Sequence, residues 1–170
     1  VLYRASQFWR ALTAAPAAGA LAQARQTLSA PQMALFLNLQ TSEQVHSLNV
    51  LMKLYAQGER STDLLSAALL HDVGKSRYVL RLWERIAAVI GRAAARRRAE
   101  IWGQGEPHGW KRPFVVASQH ALWGARMAEA AGASPLTVEL VRRHHDPPGE
   151  RHSSEADGLL RKLQLVDHNS

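Results

Sequence analysis

The chain contains no cysteine, which excludes a disulfide framework, a thiolate zinc site and a cysteine nucleophile together. Any metal must sit among histidines and carboxylates. Strand signals are scarce as well: β-branched runs are few and no hairpin turn joins alternating apolar runs, while Ala and Leu recur at helical spacing. No stretch approaches the roughly 20 apolar residues needed to cross a bilayer. The first residues lack the charged-then-apolar layout of a signal peptide, so a cytoplasmic location is expected. Internal repeats and low-complexity linkers are missing too. These absences leave an all-α chain of 170 residues, about one domain in size.

Acidic residues are in the minority. Lys and Arg total 21 against 14 Asp and Glu, a formal +7, which draws anionic partners: phosphate compounds, nucleic acid or acidic lipid. Nucleic acid is the least expected of these, because no basic platform interleaved with aromatics is present to stack bases.

Periodicity and punctuation predict helices over residues 3–14, 18–28, 31–39, 43–57, 63–72, 78–102, 114–131, 135–145 and 154–167. Thr41 and Ser42 are N-cap candidates, Gly58 a stop, and Gly74 the expected left-handed stop after 63–72. Leu64, Leu65, Ala67, Ala68, Leu69 and Leu70 leave only Ser66 polar in the 63–72 helix, so it should be the central buried one. The 78–102 helix is amphipathic and basic, with Arg96, Arg97 and Arg98 in a row and a Gly/Pro-rich loop after it.

Chemistry concentrates where helices end or turn inward. His71 and Asp72 finish the oily 63–72 helix, and an ionised carboxylate buried there costs several kcal/mol unless a cation accompanies it. His120 continues the stripe formed by Val116, Trp123 and Met127. His144 follows Leu136, Leu140 and Val141, Asp167 follows Leu160 and Leu163, and His46 flanks Val45, Leu48 and Met52. A lone histidine on such a face is ordinarily a hydrogen-bonded core residue, but five helices repeating the pattern point to one shared centre. Spacing does not choose between His144 and His145. Lys75 is either a complement to a helix C-terminus or a phosphate-binding cation. Arg142 and Arg143 are either a solvated face or within reach of a polyphosphate. His108, His152 and His168 are expected at the surface.

The run His46, then His71-Asp72-Val73-Gly74-Lys75, then His120, His144 and Asp167 resembles the HD superfamily of metal-dependent phosphohydrolases over about residues 42–168. The resemblance implies an HD-type helical bundle at 31–170 with a helical extension at 1–30 and a basic helical insertion at about 78–113. It implies that His46, His71, Asp72 and Asp167 hold one divalent metal and that His120 and His144, with His145 a further candidate, hold a second. His120-Ala121-Leu122-Trp123-Gly124 is similar to the HPxxG-type helix of the binuclear branch, with Ala121 in place of Pro. Imidazole and carboxylate ligands suit Fe, Mn, Co or Zn. Asp72 would bridge the pair and, with Lys75, carry the chemistry: cleavage of a phosphoester or phosphoanhydride bond by metal-activated water, with a nucleotide the favoured substrate. Ser42, four residues before His46, offers no carboxylate for a third metal, and no Gly-Tyr-Pro follows the His pair, so cyclic-dinucleotide cleavage is not expected. The rival reading is a non-catalytic signalling or binding domain that retains metal or nucleotide. The 78–113 insertion is expected to cover the metal cleft or to meet a partner, including a membrane surface through 78–102.

Overall fold

The structure is a computed structural model that describes residues 16–147 and 154–170. The predicted 3–14 helix and His152 lie outside these. The described residues form nine α-helices and two 3₁₀ turns, with no strand among them: α1 (Ala18–Thr27), α2 (Ala30–Leu37), α3 (Thr41–Ala56), α4 (Thr62–Leu70), a 3₁₀ turn (Val73–Arg77), α5 (Leu82–Ala94), α6 (Arg96–Trp102), a second turn (Gly109–Lys111), α7 (Arg112–Ala130), α8 (Pro135–Arg143) and α9 (Glu155–His168). Three starts are capped as their sequences dictate: the hydroxyls of Ser61, Ser134 and Ser154 accept from the amides of Leu64, Thr137 and Asp157.

Helix α4 is central because it has no polar face to offer water. Every residue from Leu64 to Leu70 is buried, enclosed by α1, α2, α3, α8 and α9. Ala24 and Leu28 share this core with Leu51, Leu69, Leu140 and Leu163. Helix α7 crosses the 3₁₀ turn and α8 and carries a smaller cluster, Val115, Val116 and Trp123, with Tyr78 and Leu80 against it. Helices α5 and α6 fold back on α7, held by Glu84, whose carboxylate accepts from the Arg81 amide and the Arg112 guanidinium.

Three local expectations are corrected. The basic helix at 78–102 is two helices, because the backbone at Ala95 leaves the helical region (φ −147°, ψ 55°); the second places Trp102 against Phe114 and Trp110. The N-cap of α3 is Gln40 rather than Thr41 or Ser42. Gly58 has the expected positive φ, but Gly74 does not. Gly74 is required for a different reason: a Cβ there would stand 2.0 Å from the carbonyl oxygen of His120 and 2.7 Å from the amide nitrogen of Gly124.

Candidate metal centre

The end of α4 and the 3₁₀ turn deliver His71, Asp72 and Lys75 to the bundle interior. Helices α3, α7, α8 and α9 bring His46, His120, His144 and Asp167 to the same place. His71, Asp72, His120 and His144 are almost fully buried. Asp72 lies between two groups of donors. Its Oδ1 is 3.3 Å from His120 Nε2 and 3.9 Å from His144 Nε2, while its Oδ2 is 3.5 Å from His71 Nε2 and 2.6 Å from Lys75 Nζ. On the first side His120, His144 and His145 each offer a ligand atom within 4.8 Å of one another; on the second, His46, His71 and Asp167 do the same. His46 Nε2 is 2.7 Å from Asp167 Oδ1, and His145 Nε2 is 3.1 Å from His120 Nε2.

Three imidazoles are mounted alike. His71, His120 and His144 place Nδ1 at 2.9, 3.0 and 2.7 Å from the carbonyl oxygens of Ala68, Val116 and Val141. A carbonyl can only accept, so Nδ1 carries the proton and Nε2 presents a lone pair to the centre of the cluster. The Nε2 atoms of His71 and His144 are buried and make no hydrogen bond. Buried polar atoms are rarely left so, and convergent imidazole lone pairs around a buried carboxylate form a donor set that fits divalent transition metals.

The charge states of Asp72, Lys75 and His144 agree with this, and that of His71 shows the pull of the two carboxylates beside it. Burial pushes the Asp72 carboxyl up, but Lys75 and His71 outweigh it and hold it well below the usual carboxylate range. For the Lys75 ammonium, Asp72 and Glu43 outweigh burial and keep it charged. His144 is driven well below the usual imidazole range by burial and then by His71, which keeps its lone pair free. Burial pushes the His71 imidazole down, yet Asp72 and Asp167 raise it overall.

A cleft of about 260 Å³ opens over the His120 and His145 side. Lys75 and Glu43 share its floor, Tyr78, Leu80, Val89 and Val116 give it an apolar wall, and Arg85 and Arg92 of α5 stand on its rim. Sequence reasoning missed Glu43. The position four before His46 is Ser42, whereas Glu43 lies three residues before His46 on the same helical face. Glu43 is buried and ion-paired to Arg85 at 2.9 Å, and burial raises its carboxyl. Arg143 is corrected in the other direction: Glu139, Asp157 and Asp146 occupy its guanidinium at 2.7, 2.8 and 3.4 Å, so it has no free face for a polyphosphate. Arg142 is exposed, and so, as expected, are His108 and His168.

The family model described as HD domain matches residues 44–168, well over half of the chain. No curated protein and no solved structure matches it.

Proposed function

The chain belongs to the HD-domain family, most of whose members are metal-dependent phosphohydrolases, and from that premise we propose that it hydrolyses a phosphoester or phosphoanhydride bond of a small phosphorylated compound, a nucleotide first among them. The carrying observation is the convergence of the buried, unpaired Nε2 atoms of His71 and His144 on the two sides of Asp72. In this reading residues 31–170 are the catalytic unit, 1–30 its helical extension and 78–113 an insertion. His46, His71, Asp72 and Asp167 would hold one divalent ion, and Asp72, His120 and His144, with His145 at the rim, a second.

Bound there, such ions supply the positive charge that acidifies a water and offsets charge on phosphate oxygens. The chain's own residues do the rest. Lys75, charged and 2.6 Å from Asp72, is placed to meet a phosphate oxygen entering from the cleft. The Nδ1 bonds to backbone carbonyls hold three imidazoles in the ligating tautomer, so no reorganisation is needed during turnover. Tyr78, Leu80 and Val116 offer the leaving group an apolar surface. Elemental analysis of the purified chain, followed by a phosphate-release screen over nucleotides and other phosphate compounds, tests the reading. Stoichiometric transition metal with phosphate release is expected. Metal without release on any compound would make this a binding domain, and absence of both would end the proposal.

A further inference from the structure

Helix α5 is built inside out. Its large apolar residues Leu82, Trp83, Ile86, Val89 and Ile90 recur at the spacing of a single helical stripe, and that stripe faces solvent: Trp83 is 58% exposed, Val89 69% and Ile90 60%. The face turned toward the rest of the protein is small and polar instead, with Glu84 and Ala88 buried and Gly91 so close to Phe114 that a Cβ would meet its ring at 2.4 Å. Ile101 and Trp110 add exposed apolar surface on the same insertion. A contiguous patch of this kind marks a contact site, and nothing among the described residues covers it.

Charge identifies the occupant. Between Arg77 and Arg112 the sequence holds nine basic residues and three acidic ones, an excess of six that accounts for nearly all of the formal +7. One of the three acids, Glu84, is buried and committed to Arg112, and Glu100 is paired with Arg96. Arg81 and Arg92 lie along one border of the apolar stripe, and Arg97 and Arg98 lie just beyond its end; none of these four makes an ion pair among the described residues. A second copy laid on this face would bring like charges together. A surface that accepts apolar side chains and is itself anionic satisfies both features at once.

We propose that the solvent-facing stripe of α5, with the arginines at the start of α6, is a docking surface for an anionic lipid bilayer. Trp83, Ile86, Val89 and Ile90 enter the headgroup boundary, and Arg81, Arg92, Arg97 and Arg98 meet lipid phosphates and carboxylates. Val89 belongs both to the stripe and to the wall of the cleft, and Arg92 stands on the cleft rim, so docking sets the mouth of the cleft at the membrane surface. The contact requires no hydrolysis, so it stands or falls separately from the catalytic reading.

Co-sedimentation of the full chain with phosphatidylcholine vesicles, with and without phosphatidylserine, tests this. Binding is expected to the anionic vesicles only and to weaken as salt is added. Ile86→Asp combined with Ile90→Asp, and separately Arg96, Arg97 and Arg98 changed to Gln, should each lower partitioning about tenfold or more, with thermal melting and metal content unchanged because these side chains are exposed. Wild type and both variants partitioning equally would overturn the proposal. So would a dimer, seen by analytical ultracentrifugation, that Ile90→Asp dissociates without any vesicle binding in the wild type. Vesicle binding that appears only after removal of residues 1–15 would show that the chain covers its own face, and would overturn it as well.

Discussion

Gly74 and His120 meet backbone to backbone: a methyl group on Gly74 would stand 2.0 Å from the His120 carbonyl oxygen. This contact sets the distance between the turn that carries Asp72 and Lys75 and the helix that carries His120. Gly74→Ala should push the two apart, at a cost of about 1–3 kcal/mol, and should lower metal content together with melting temperature. Gly124→Ala, whose Cβ would lie 3.1 Å from the Gly74 nitrogen, should do the same more mildly. Wild-type melting and full metal content in the Gly74 variant would mean that the close approach does not position the site.

Asp72→Ala should empty both halves of the centre and reduce phosphate release to background, because Asp72 lies between the two donor groups. His144→Ala should cost one ion and leave the His46, His71 and Asp167 side loaded. Metal stoichiometry by elemental analysis reads the difference. A His144 variant that loses both ions while the Asp72 variant keeps them would refute the bridging role.

His145 reaches solvent at the cleft rim, but the side chains crowded round its ring strip it of much of its water, and this desolvation, followed by the neighbouring His120, pushes it down to about 4, against an ordinary value of about 6.5. Between these limits the unfolded chain takes up a proton that the folded chain refuses. Stability of the chelator-treated protein therefore falls as pH drops from about 6.5 toward 4, and above 6.5 the residue contributes nothing to the pH dependence. His145→Gln should flatten that dependence relative to wild type. Parallel melting-versus-pH curves for the two proteins would show that His145 titrates normally.

Glu84 fastens α5 to the start of α7 through Arg112 and caps the first turn of its own helix by accepting from the Arg81 amide. Glu84→Ala leaves both donors without their acceptor and should cost about 2–3 kcal/mol locally. Hydrogen exchange should accelerate across Leu82–Ala94 while the α4 amides keep their protection and metal content stays constant. Unchanged exchange in α5 would place its anchor elsewhere.

The sequence showed the interior of the site better than its walls. His71, His120, His144 and Asp167 each break an apolar stripe with a group that needs a partner, a conflict visible from periodicity alone, and the structure gathers all of them around Asp72. The choice between His144 and His145 was not legible, since each continues a stripe of α8; in the fold His144 is buried and His145 lies at the solvent rim. The pairing of Arg85 with Glu43 spans α3 and α5 and has no local signature. Neither has the break at Ala95, where three consecutive alanines carry every helix-forming signal and packing around Trp102 and Phe114 accompanies the turn. The left-handed stop expected at Gly74 is not there, because a glycine serving close approach looks the same in sequence as one serving a left-handed turn.

His46 and Asp167, 2.7 Å apart, are separated by 121 residues. On the proposed reading, one half of the centre therefore cannot form until α9 has docked on α3, and its side chains come together only after the long loops between them have closed. An ion captured at His46, His71 and Asp167 would act as a late clasp, joining α9 to α3 and slowing their separation. Unfolding that detaches α9 from α3 would have to release that ion first, so the lifetime of the native state, and not only its equilibrium stability, should lengthen with metal supply.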